Sequence, residues 1–181
     1  MADVLVVHAG NRIDGADRAH PRFPPERELA ISNRLGELLD VLEPDGVVTA
    51  AAAGADLLLV EAAQKRCLPI HLVLPTERRR FRATSVEDQG ERWAFAFDQA
   101  IELVTSHEAS SLIELAFEAD GNVFHAGNQA LINRARDIAE NGVVAVAVRP
   151  AGGEDPSSMT DDFVGRAKQA GLFVIEIDPR G

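Results

Sequence analysis

Four short runs in this sequence bring together small residues, hydroxyls, carboxylates and arginines at spacings that could hold a small anion. They are Gly10-Asn11-Arg12-Ile13-Asp14, Ala53-Gly54-Ala55-Asp56, Pro75-Thr76 with the arginines at 78–80 and 82, and Gly152-Gly153 leading to Thr160-Asp161. The chemistry such runs offer is capture of phosphate, because free backbone N–H groups at a helix start bind it without a cationic side chain. Each run also has a plainer reading. Gly10 and Gly54 serve equally as tight-turn residues. Asp56 can cap a helix instead of meeting a ribose hydroxyl. Arg12 can be an ordinary surface arginine, and the cluster at 78–82 a solvated face.

Other chemistries fail on spacing. No Gly-x-Gly-x-x-Gly follows the first apolar run, and no Gly-x-x-x-x-Gly-Lys-Ser/Thr occurs anywhere. Asp56 and Glu61 stand five residues apart, about 140° round a helix, so they do not make a carboxylate pair on one face. His8, His20, His71, His107 and His125 lack metal-ligand spacing, and His71 reads as core or sheet surface. Cys67 is the only cysteine, which excludes an internal disulfide and a multi-cysteine zinc site; its place before an apolar strand predicts a small buried residue. No metal and no resident cofactor are expected.

The elements that must position these runs follow from apolar patterning. Asp3–His8 reads as a strand buried on both faces, and Gly46–Ala50 and Pro69–Pro75 read as two further strands, separated by helices over Glu26–Leu42 and Asp56–Arg66. Acids at the start of the second helix and Lys65-Arg66 at its end suit the helix dipole. Alternating strands and helices predict right-handed βαβ units with parallel strands. Further on, Ile101–Thr105 reads as a fourth strand, and Ser110–Ala119 as a helix or ordered loop. Asn122–Glu140 reads as a helix closed by Asn141-Gly142, Gly142–Val148 as a strand, Thr160–Ala170 as a helix capped by Gly171, and Leu172–Ile177 as the last strand. The fold class expected is α/β: a doubly wound, mostly parallel Rossmann-like sheet in three α/β/α layers, forming one domain over residues 1–181. In such sheets ligands bind beyond the carboxyl ends of the strands, which is where all four runs fall.

Composition narrows the partners. The chain has 181 residues, 46% of them hydrophobic and 26% charged, values that fit an ordinary folded protein. With 18 basic against 29 acidic residues the formal charge is −11, which repels nucleic acid at long range. No apolar run approaches the ~20 residues of a membrane span, and the start lacks the basic flank of a secretory signal, so a cytoplasmic location is expected.

The ordered set of runs resembles the SLOG superfamily, the Rossmann-like group containing Smf DNA-processing proteins and LOG-type phosphoribohydrolases. Thr49 to Asp56 followed by Leu57 to Ala63 is similar to the small-residue run, Gly-x-Asp and helix of the Smf-like branch. Gly10-Asn11-Arg12-Ile13-Asp14 is similar to the Gly-His-Arg-x-Asp start of SLOG domains found beside TIR or cyclase modules. Leu74-Pro75 to Val86, Gly127-Asn128, and Gly152-Gly153 through Asp178 match the remaining elements, so the resemblance spans nearly the whole chain. It implies a crevice for a nucleotide or an NAD- or ADP-ribose-derived ligand. In that reading Gly10, Asn11 and Arg12 meet phosphate near Asp14, and Gly54 and Asp56 give close backbone approach and a ribose partner. Thr76, Arg82 and Ser85 line the opposite wall, while Gly153 and Thr160 close the site. The hydrolase branch carries Pro-Gly-Gly-x-Gly-Thr-x-x-Glu. Here Glu154 to Met159 intervene before Thr160 and Phe163 stands where the glutamate would be. That departure favours ligand sensing over N-glycosidic cleavage, for which a carboxylate among Asp14, Asp56, Glu61 and Asp161 would be needed. Single-stranded DNA binding, as in Smf proteins, runs against the net charge. Paired domains are common in the superfamily, and the Trp93–Phe97 stretch is a candidate contact for a homo-oligomer or, alternatively, part of the core.

Overall fold

A computed structural model describes residues 4–15, 18–116, 122–139, 142–152 and 158–181. Six strands, β1 (Leu5–Gly10), β2 (Gly46–Thr49), β3 (Ile70–Leu74), β4 (Ser111–Glu114), β5 (Val143–Val148) and β6 (Phe173–Ile177), form a single sheet in the order β4-β3-β2-β1-β5-β6. Every pairing is parallel. The central strands β1, β2 and β3 are valine- and leucine-rich, and Leu5–His8, Gly46–Thr49 and Ile70–Leu74 are all buried, as a sheet covered on both faces requires.

The helices are α1 (Glu28–Leu42), α2 (Ala55–Gln64), α3 (Arg78–Ser85), α4 (Glu91–Ser106), α5 (Val123–Ile138) and α6 (Met159–Gln169). On one face Ile31, Leu35 and Leu39 of α1, Leu57 to Val60 of α2, and Trp93 and Phe97 of α4 pack over Val6, Val47 and Leu72. On the other, Leu131, Ile132 and Ala135 of α5 and Phe163, Val164 and Ala167 of α6 cover Leu5, Val7 and Ala145. The doubly wound three-layer arrangement is therefore the one the sequence predicts. Strand order reverses beside β1, whose neighbours β2 and β5 are reached through helices on opposite faces, so a crevice opens where β1 and β5 end.

Three local expectations are corrected. Ile101–Thr105 lies inside the 16-residue α4, not in a strand. Trp93, Phe97, Ala100 and Val104 recur on one face of that helix and are all buried, and this long-range periodicity outweighs the β-branched character of the short run. The fourth strand is Ser111–Glu114, within the segment left open between helix and loop; it sits at the sheet edge, only half-buried, so its apolar signal is dilute. Cys67 is exposed rather than buried. It occupies a left-handed turn (φ 55°) between α2 and β3, where the chain reverses at the surface. Among the stretch offered as core or contact, Trp93 and Phe97 are buried and Phe95 is 67% exposed. No helix among the described residues is long and apolar enough to cross a membrane.

The chain end is fastened to the β5 exit. Asp178 accepts from the amides of Ala151 at 2.7 Å and Arg180 at 2.8 Å, and pairs with the Arg180 guanidinium at 3.0 Å. The guanidinium foremost, aided by the two amides and opposed by partial burial, holds this carboxyl down to about 2. Because the folded value is depressed, its stabilisation is present above the unfolded value near 3.8 and is lost as pH falls toward 2. Acid titration should therefore remove on the order of 1–2 kcal/mol across that window, the Coulombic part being screened at this partly exposed site. Asp178→Asn should flatten this part of the pH–stability curve, and an unchanged curve would show that the fastening contributes nothing.

Candidate functional site

The exits of β1 and β2 are stapled together by backbone. Residues Arg12 and Gly54 form an antiparallel bridge, in which the Ile13 amide donates to the Ala53 carbonyl at 3.0 Å and the Ala55 amide to the Asn11 carbonyl at 3.3 Å. Gly54 has φ 121°, and a Cβ there would lie 2.4 Å from the Ile13 nitrogen, so the bridge exists because this residue has no side chain. A Cβ on Gly10 would lie 2.3 Å from the Ala55 Cβ, which brings the start of α2 hard against the end of β1.

Asp56 completes the staple. Its Oδ1 accepts from the Gly10 amide at 3.1 Å, and its Oδ2 from the amides of Ala52 at 3.2 Å and Ala51 at 3.5 Å. The buried His8 ring places Nδ1 3.1 Å from the Thr49 hydroxyl and 3.3 Å from Asp56 Oδ1. Ala51 is held at φ 127°, a conformation L-residues rarely adopt, and this local strain sits where the β2 exit turns toward α2. The carboxylate of Asp56 thus serves as an organiser of backbone.

Beyond these turns lies a hollow of about 500 Å³. Of the residues singled out from sequence, Gly10, Asn11, Arg12, Asp56, Ser85 and Thr160 line it. Asn11 and Thr160 touch directly, the Thr160 hydroxyl donating to Asn11 Oδ1 at 2.9 Å across 149 residues of chain. Arg12 faces the hollow but also pairs with Asp88.

The others take different positions. Asp14 folds the following loop: its Oδ2 accepts from the amides of Arg22 and Phe23, both at 2.7 Å, and its Oδ1 lies 3.3 Å from Arg18 Nε. Gly54 is consumed by the bridge. Thr76 is buried outside the lining, and its hydroxyl donates to the Glu77 carbonyl at 3.4 Å. Arg82 points along α3 and α4, donating to Asp98 at 2.9 and 3.0 Å and pairing with Glu87. These partners, Asp98 foremost, raise its pKa further. Glu61 lies 3.4 Å from Arg92, and Asp161 is 2.6 Å from Arg149. Gly153 lies outside the described residues.

Sequence reading passed over several lining groups. Arg18 and Arg22 come from the polar, proline-rich stretch after β1, which Asp14 bends back over the hollow. The half-buried Arg22 side chain has no acidic partner among the described residues. The signal that could have found it is Asp14 itself, a loop-closing carboxylate eight residues upstream of an arginine. Gly127 and Asn128, named in the sequence only for their family resemblance and given no role, enter with Phe124 from the first turns of α5, and Ser158 and Met159 from the start of α6. Asn128 ties these two helix starts together, donating to the Met159 carbonyl at 2.7 Å and to Asp162 at 2.9 Å. Against burial that would raise it, Arg166, Asn128 and His125 hold the Asp162 carboxyl below its ordinary value. Two helix N-termini therefore abut the hollow, and α5 has no acidic residue in its first turn. Among the described residues no group of three His, Cys, Asp or Glu could hold a metal ion.

No family model and no curated protein matches the chain. Among solved structures it is similar to TM1055, a Northeast Structural Genomics Consortium target, with a TM-score of 0.52 and 15% identity over 94% of this chain and 72% of that one. The fold is Rossmann-like. A second similar structure, DNA processing protein A (DprA) from Streptococcus pneumoniae, is 14% identical with a TM-score of 0.42, covering 98% of this chain and 59% of that one. At 15% identity the likeness to TM1055 is one of fold alone, and the ligand has to be argued from the hollow itself.

Proposed function

We propose that this protein is a ligand-sensing module that binds a nucleotide, or an NAD- or ADP-ribose-derived molecule, in the hollow at the strand exits. The observation that carries the reading is the meeting of the stapled β1 and β2 turns with the N-termini of α5 and α6, beside an arginine with no acidic partner among the described residues. Helix starts and a guanidinium attract phosphate. The apolar surface of Phe124, Met159 and Leu131 in the same wall suits a base. An acid-coated body of charge −11 can hold such an anion because the attraction is local.

Binding is favoured over turnover by the state of the carboxylates. Asp14 and Asp56 are engaged by backbone amides, Glu61 lies beside Arg92, and Asp161 beside Arg149. Each has structural work that a general base or ribosyl-cation stabiliser would have to abandon. The reading takes the protein as cytoplasmic, acting on a diffusible small molecule without metal.

Calorimetric titration with AMP, ADP, NAD and ADP-ribose, against adenosine, tests this. At least one phosphorylated ligand should bind, and Arg22→Ala should weaken it about tenfold while leaving adenosine unchanged. Silence from all four phosphorylated ligands would end the proposal.

A further inference from the structure

Resting on the reading of the hollow as a phosphate site, we propose that Asn11 is its specificity-determining donor, oriented by Thr160 so as to accept only an oxyanion at the start of α6. Asn11 is 7% exposed and stands in the wall of the hollow. Its Oδ1 is occupied by the Thr160 hydroxyl at 2.9 Å, which turns Nδ2 the other way. That nitrogen is withdrawn from water and has no acceptor among the described residues. A buried amide donor without an acceptor is costly to keep, and a ligand oxygen arriving in the hollow removes that cost.

Thr160 is the second residue of α6, so Asn11 stands beside that helix start, whose free backbone groups are donors as well. Helix α6 runs for 11 residues from Met159, and the Ser158 hydroxyl oxygen caps the Asp161 amide at 3.3 Å, one position further in. The Met159 and Thr160 amides have no acceptor among the described residues. Two acids stand in this first turn, yet neither opposes an anion with a bare charge. Asp161 lies 2.6 Å from Arg149, while Asp162 lies 2.8 Å from Arg166 and 2.9 Å from His125. Helix amides and one side-chain donor, with the nearby acids paired to cations, match a phosphoryl group, which only accepts, better than a hydroxyl, which brings a proton of its own to unfilled groups that are donors. Asn11 would touch the ligand, and Thr160 would act through Asn11 as a positioning residue.

The test follows the Asn11 side-chain amide in nitrogen-15 NMR spectra, identified by its disappearance in Asn11→Asp. The wild-type protein is titrated first with inorganic phosphate and then with ADP. Both should move that signal. Thr160→Val, which frees the amide to turn over, should weaken the phosphate response about tenfold, and Thr160→Ser should restore it. Asn11→Asp, which puts a second carboxylate oxygen where the donor was, should abolish binding of phosphate and ADP, read in that variant from the Met159 and Thr160 backbone amides. If ADP binds while the Asn11 signal stays still, or if Asn11→Asp binds it as well as wild type, the donor assignment is wrong and the hollow reading survives. If phosphate moves Asn11 but no nucleotide binds, the donor stands and the nucleotide reading falls. If neither has any effect, both are overturned.

Discussion

Replacing Gly54 with alanine should cost about 3–5 kcal/mol of folding stability and erase ligand binding with it. Three backbone atoms cause the expected loss. The new Cβ would lie 2.4 Å from the Ile13 nitrogen, 2.8 Å from the Asn11 oxygen and 2.9 Å from the Arg12 carbonyl carbon, none of which can rotate aside as a side chain could. The residue also has φ 121°, where alanine is strained in open space. Stiffening of the unfolded chain would return only about 0.4–1 kcal/mol. With total stabilities of roughly 5–15 kcal/mol, the loss is a large share of the whole. Gly165→Ala is the control: it lies in α6 with nothing within 4 Å of its added methyl group, so it should be neutral or stabilise by up to about 1 kcal/mol. Urea unfolding of the two variants side by side would refute the staple if they behaved alike.

Asp56→Ala is expected to be comparably severe, for an electrostatic reason. The substitution strands the Gly10, Ala51 and Ala52 amides and leaves His8 Nδ1 with the Thr49 hydroxyl alone, at a site where Asp56 itself is 5% exposed. Leaving three donors unmet at this largely buried site costs on the order of 3–5 kcal/mol. Asp56→Asn should be only slightly milder, since its NH2 group would face amides that also donate. A loss below about 1 kcal/mol for either variant would mean that Asp56 is not the organiser of these turns and that its carboxylate is free to meet a ligand instead.

Much of this architecture was legible in the residues, because buried parallel strands announce themselves as valine-rich runs and the helices between them as 3.6-residue stripes. What escaped had a physical cause in each case. The β4 strand lies on an edge and is only half-buried, so Ser111–Glu114 carries a dilute apolar signal, while Ile101–Thr105 resembles a strand because the period of α4 shows only over the whole helix. For the candidate site, Gly10 and Asn11 line the hollow, at the strand end that this fold class singles out in sequence. Arg82 looked like a phosphate clamp in one dimension; in three, Asp98 and Glu87 claim it. Arg22 looked like part of a polar linker until Asp14 folded the loop back. Side-chain partners brought from distant positions, such as Thr160 to Asn11, leave no trace in local spacing.

The most direct measurement is a backbone amide NMR titration of the wild-type protein with ADP. If a phosphate-holding hollow lies at the strand exits, the perturbed amides should cluster at Gly10, Asn11, Arg12 and Arg22 and at Met159 and Thr160, with adenosine moving them far less. Perturbations centred elsewhere on the sheet, or equal responses to ADP and adenosine, would contradict it.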